Sequence, residues 1–139
     1  MARDRNGGRA AAQRLILDSG AVIALSRGEP RARAFVASAL EMGALVEVPV
    51  AVVAETVRGG LRDAPVDRVL KAVGSVPEAR EAHGRTAGRL LAEARSTATI
   101  DALVIAHAVE AGGGRVLTGD REDLGRLTAG HPEVSIHAL

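Results

Sequence analysis

Short apolar runs ending in an acidic or turn residue alternate along this chain with longer helically patterned stretches, and this alternation restricts the fold more than any other feature. Arg14-Leu-Ile-Leu-Asp18 reads as a strand feeding a helix over Ala21 to Arg27, with Ser19 at a capping position. Gly28-Glu-Pro30 breaks that helix, and Ala32 to Met42 supports a second. Leu45-Val-Glu-Val48 is the next strand, Pro49 suits a helix start, and helical patterning runs from Val50 to Arg62. Helices are expected over Val66 to Val73 and Glu78 to Arg95, with a minimal strand at Ser75-Val76 between them. Ile100 to Ala111 is apolar almost all round, as in a buried helix, and Gly112-Gly-Gly114 ends it in a turn. A strand at Arg115 to Thr118, a helix at Arg121 to Leu127 and a strand at Val134 to His137 complete the pattern. Strands that alternate with helices in this way form a parallel sheet covered on both faces, a three-layer α/β/α sandwich.

At 139 residues with 47% hydrophobic content, the chain has the size and composition of one folded domain. We assign residues 14–139 to that domain and residues 1–13 to a basic, flexible leader. The residues up to Arg14 carry Arg3, Arg5, Arg9 and Arg14 against Asp4, whereas the whole chain has a net charge of only +1. The remainder is therefore slightly acidic and is not a polybasic nucleic-acid binder. Zero cysteines exclude disulfides, thiolate metal sites and cysteine nucleophiles. With no Trp, no Tyr and only Phe35, there is no platform for stacking bases. No apolar run approaches the roughly 18 residues of a membrane helix, and a cytoplasmic location is expected.

Ligands of open parallel sheets bind beyond the carboxyl ends of the strands, so the acids placed there matter most. Asp18 ends the first strand, and Asp120 follows the strand at Arg115 to Thr118. An eleven-residue helix rises about 16 Å and a five-residue return strand covers about 17 Å, which brings Asp101 to the same edge as Asp120. Glu55 lies about 9 Å into a helix that starts from that edge. Four carboxylates drawn together repel one another, and a divalent cation relieves the repulsion. All-oxygen ligation suits Mg²⁺ or Mn²⁺, ions able to activate water against a phosphodiester without a protein nucleophile. Each acid also has an ordinary structural reading. Asp18 or Ser19 can cap the first helix, Asp120 with Asp123 makes a capping arrangement, Asp101 favours a helix N-terminus, and Glu55 can pair with Arg58.

In order and context these residues resemble the PIN-domain ribonucleases, in particular the VapC-type toxins of bacterial toxin–antitoxin pairs. The likeness spans Leu15 to Leu139 and rests on Leu15-Ile-Leu-Asp18-Ser19-Gly-Ala, Ala54-Glu55-Thr-Val-Arg58, Ile100-Asp101-Ala-Leu-Val-Ile-Ala106 and Leu117-Thr118-Gly-Asp120-Arg-Glu-Asp123-Leu. The acids are spaced 37, 46 and 19 residues apart. The resemblance implies a PIN-like fold, endoribonuclease activity, and metal binding and catalysis by Asp18, Glu55, Asp101 and Asp120. Thr118, Asp123 and Ser19 would support them. It also implies an RNA substrate, a VapB-like antitoxin partner and a homodimer. Two departures from the family pattern are a longer Arg-rich leader and the Gly59-Gly60 pair ending the helix that carries Glu55.

His83, His107, His131 and His137 match no metal-ligand spacing and read as structural or surface residues. Gly112-Gly-Gly114 is not a nucleotide-binding fingerprint, since it follows a helix and lacks the GxGxxG spacing. Among Arg27, Arg31, Arg33, Arg58 and Arg62, we select Arg58 as the RNA-phosphate contact. Two functions are compatible with the acidic edge: a metal-dependent endoribonuclease toxin, or a catalytically silent α/β module that holds a basic partner peptide.

Overall fold

The computed structural model describes residues 13–73 and 75–139, and the expected leader lies outside them except for Gln13. Strands β1 (Arg14–Leu17), β2 (Leu45–Glu47), β3 (Gly114–Thr118) and β4 (Val134–Ala138) form one sheet in the order β2-β1-β3-β4, parallel at every pairing. The helices are α1 (Ser19–Ser26), α2 (Pro30–Glu41), α3 (Val50–Thr56), α4 (Ala64–Val73), α5 (Glu81–Ala94), α6 (Thr99–Glu110) and α7 (Arg121–Leu127), with a 3-10 turn at Leu61–Asp63.

Leu15, Ile16 and Leu17 are fully buried, because β1 is an inner strand with both faces covered and no side chain can turn outward. The register shows which helices do the covering. Leu15 pairs with Arg115, whose guanidinium lies 5.7 Å from the ring centre of Phe35 on α2. Ile16 pairs with Glu47, whose carboxylate reaches His107 on α6. Adjacent strand residues face opposite sides, so α2 and α6 cover opposite faces and the expected three-layer sandwich is formed. Phe35 is packed against the core, with His137 of β4 beside its ring.

The buried helix expected after Ile100 is α6, with Ala102, Val104, Ile105, Ala106, His107 and Ala108 all shielded from solvent. The glycine turn after it is required sterically. Gly112, Gly113 and Gly114 have φ of +89°, +120° and +155°, and a Cβ on Gly113 would approach the Glu133 carbonyl oxygen to 2.7 Å.

Three expected elements differ from those observed. The helix expected from Val50 to Arg62 stops at Thr56, because the Asp63 carboxylate accepts the N–H groups of Arg58 and Gly59 and Gly59 adopts φ +85°. Ser75-Val76 forms no strand, and its tie to the sheet is the Val48 N–H donated to Ser75 O at 3.0 Å. The helix expected from Glu78 begins at Glu81, where the Arg80 N–H donates to His83 Nδ1 at 3.0 Å.

Candidate active site

Parallel pairing sets the carboxyl ends of β1 and β3 side by side, and the acids that follow these strands inherit that proximity. The Asp18 N–H donates to Leu117 O at 3.1 Å, so the sheet itself fixes the backbone of Asp18. Its carboxylate accepts from Ala21 N–H at 3.0 Å and caps α1. After β3, the buried Thr118 hydroxyl oxygen accepts from Asp120 N–H at 2.9 Å, and Asp120 caps α7 through Asp123 N–H at 3.4 Å. The capping roles expected of Asp18 and Asp120 are therefore real, and both residues also face the cleft.

Asp101 sits in the first turn of α6, and Glu55 near the end of α3. Ser19 Oγ donates to Glu55 Oε1 at 2.5 Å, which ties the start of α1 to α3 and turns Glu55 toward the other acids. Arg58 does not pair with Glu55. Its Nη1 donates to Ala54 O at 2.8 Å and Val57 O at 3.0 Å, satisfying carbonyls at the C-terminal end of α3. Asp18, Ser19, Glu55, Asp101 and Asp120 line one cleft of about 200 Å³ together with Gly20, Val104 and Gly119.

The electrostatics of the cleft are those of unanswered negative charge. Burial raises the Asp18 carboxyl above its ordinary 3.8, the Thr118 hydroxyl and the N–H groups of Ala21 and Gly20 oppose that rise, and the charge of Glu55 adds to it. Asp101 is also raised, by burial first and then by the charges of Asp18, Glu55, Asp123 and Asp120. Asp123 thus acts on the site through its charge, though it is not among the residues lining the cleft.

Two parts of the cleft were not assigned from the sequence. Gly20 and Gly119 bring the β1–α1 and β3–α7 turns into contact, since a Cβ on Gly20 would lie 3.0 Å from the Gly119 backbone nitrogen. The signal was present, as Gly20 lies two residues after Asp18 and Gly119 immediately before Asp120, each just beyond a strand. Val104 lies one turn after Asp101 and forms the apolar part of the wall.

Among the described residues, no group of three or more His, Asp or Glu side chains is drawn in tightly enough to hold an ion unaided. The donor set nevertheless fits a hard divalent cation in kind. It supplies four carboxylates, no sulfur and no nitrogen, in a cleft without a cationic side chain in its lining.

The family model of the PIN domain matches residues 15–129. The chain belongs to the PIN-domain family. Two solved structures share the fold of this PIN domain. One is a toxin–antitoxin complex from Klebsiella pneumoniae, with a TM-score of 0.67 and 19% identity over 90% of this chain and 99% of that chain. The other is VapBC2 from Rickettsia felis bound to a DNA fragment from its promoter, with a TM-score of 0.67 and 12% identity over 91% of this chain and 98% of that chain. No curated protein sequence matches this chain. Among the described residues, no helix is long and apolar enough to cross a membrane.

Proposed function

We propose that this PIN domain is a divalent-metal-dependent endoribonuclease and the toxin of a VapBC-type toxin–antitoxin pair, acting in the cytoplasm. The observation that carries the reading is the cleft itself, where carboxylates from four separate segments face one another with no cation among the lining residues. Such a cluster costs stability and is retained where it serves a ligand. Asp18, Glu55, Asp101 and Asp120 would hold the ion. When bound, Mg²⁺ or Mn²⁺ supplies Lewis acidity and a water of lowered pKa to phosphodiester hydrolysis. The chain's own residues orient this donor set: the sheet fixes Asp18, Ser19 holds Glu55 across the cleft, and Thr118 holds the backbone of Asp120.

Without Tyr or Trp, RNA recognition rests on phosphate contacts and folded shape, and Arg58, three residues after Glu55 and just past the end of α3, is the contact we propose. The toxin reading includes a homodimer and a protein partner whose basic tail enters the acidic cleft. It also gives a role to an apolar groove of about 360 Å³ lined by Leu25, Val36, Leu40 and Val69, with Arg33 and Arg68 on its walls. That groove suits an apolar segment of the antitoxin that also carries acidic side chains.

Purified full-length protein should cleave RNA with Mg²⁺ or Mn²⁺ and stop in EDTA. Asp101→Asn should lower the rate by more than about a hundredfold, the most that loss of a residue merely supporting a metal ligand costs. Undiminished cleavage in excess EDTA would refute metal dependence. No cleavage by the parent, combined with tight binding of a basic peptide that Asp101→Asn weakens, would replace the enzyme with the silent module.

A further inference from the structure

A second set of ionisable side chains is buried on the α6 side of the sheet, outside the cleft lining. Glu47 at the end of β2, His107 in the last turn of α6 and His83 in the first turn of α5 are each 7 to 8% exposed. Glu47 Oε1 accepts from Arg14 Nη1 at 2.5 Å and lies 3.2 Å from His107 Nε2. The ring of His83 stacks on that of His107, with centres 5.8 Å apart and planes 23° apart. His83 Nδ1 is occupied by the Arg80 N–H, which fixes that ring at the start of α5. Burial lowers the pKa of His107 below its ordinary 6.5, so a neutral ring with its proton on Nε2 donates to the Glu47 carboxylate.

The elements joined here are those that carry two of the acids. Glu47 leads through Val48 and Pro49 directly into α3 and Glu55, while His107 lies six residues, about 9 Å, along α6 from Asp101. Packing alone leaves slack between them. The stacked histidines border a cavity of about 180 Å³ whose other walls include Pro49, Val50 and Ala51, the start of α3. Apolar contact across such a gap permits small slides, whereas a hydrogen bond to a buried carboxylate has a fixed length and direction. Metal ligation tolerates errors of only about 0.2 Å.

We propose that Glu47 and His107 are positioning residues, whose hydrogen bond fixes α3 against α6 and thereby sets the separation of Glu55 from Asp101 across the cleft. Arg14 neutralises Glu47 so that the carboxylate can stay buried, and the His83 ring holds the orientation of His107. The proposal rests on the metal-site reading above and assigns this network a part in it.

The test is Mn²⁺ affinity, measured by titration of the full chain, alongside melting in EDTA. His107→Leu removes the donor at similar volume, whereas His107→Gln places an amide nitrogen the same number of bonds from Cβ as Nε2. The Leu variant should bind Mn²⁺ about tenfold more weakly while still melting cooperatively, and the Gln variant should stay within about threefold of the parent. Should Leu at this position give no cooperative melt, His107→Asn replaces it with the same expectation, since its amide is one bond too short to reach Glu47. Parent-like affinity in the donor-free variant overturns the proposal. So does equal weakening in the Gln and Leu variants, which would make His107 a packing residue only. A parent that binds no Mn²⁺ overturns the metal-site reading together with this inference.

Discussion

The α6 side of the sheet and its carboxyl edge both bury charge in this PIN domain, and they treat it in opposite ways. On the α6 side of the sheet, Glu47 is answered by Arg14 and His107. At the carboxyl edge, Asp18 and Asp101 face further acids, and their carboxyl groups are raised by burial first and then by neighbouring charge, that of Glu55 on Asp18 and those of Asp18, Glu55, Asp123 and Asp120 on Asp101. One sequence thus pairs its buried charge where the need is structural and leaves it unpaired where a ligand can do the pairing. A chain that compensates Glu47 so fully shows that the cleft's repulsion is not a general failure of packing. It is a local arrangement that costs stability and makes the edge receptive to cations.

Breaking the paired region should have the larger effect on stability. Glu47→Ala strands Arg14 and takes the acceptor from His107, and it should cost about 3 kcal/mol, the low end for a broken buried pair because the Arg14 side chain keeps 19% exposure. Urea unfolding in EDTA measures it, and a loss below about 1 kcal/mol would mean that the network is solvated rather than structural.

Acid should then separate the two regions by sign. The folded-state pKa of His107 lies below 6.5, so the unfolded chain takes up the proton first and stability is lost as pH falls from 6.5. Asp18 and Asp101 are raised above 3.8, so in the range just above that value the folded chain holds more protons and stability is lost as pH rises. In EDTA, His107→Gln should therefore lose less stability than the parent on acidification below 6.5, and Asp101→Asn should lose less as pH rises from 3.8. Melting curves across that range check both, and parallel profiles for all three proteins would contradict the contrast.

The two regions also differ in how far the sequence revealed them. Asp18, Asp101 and Asp120 stand beside strand or helix boundaries that local patterning marks, Glu55 lies within the helix that Pro49 opens, and the parallel topology that such alternation implies is enough to bring Asp101 and Asp120 to one edge. Pairing Glu47 with His107 joins residues 60 positions apart, and nothing local distinguishes that glutamate from a solvent-facing one in a short strand. The early end of α3 was illegible for a related reason. The side chain of Asp63, which terminates the helix by taking two backbone N–H groups, lies beyond it in the sequence. Gly59-Gly60 signalled a weak end but gave no hint of the acceptor. Gly20 and Gly119 were visible as glycines, yet their contact depends on two turns that only the assembled sheet brings together.

The most direct measurement of the central claim, that the cleft's charge is held for a cation, is the melting temperature of the parent and of Asp18→Asn, each in EDTA and in Mg²⁺. Removing one charge at nearly constant shape relieves repulsion, so the variant should melt no lower than the parent in EDTA. With Mg²⁺ at about 100 times its Kd the parent should gain about 2.7 kcal/mol and overtake the variant, which has lost a ligand. Asp67→Asn, at an exposed position on α4, should follow the parent in both conditions. If Asp18→Asn melts below the parent in EDTA, or if Mg²⁺ leaves the parent's melting temperature unchanged, Asp18 is a helix cap alone and the cleft is not a cation site.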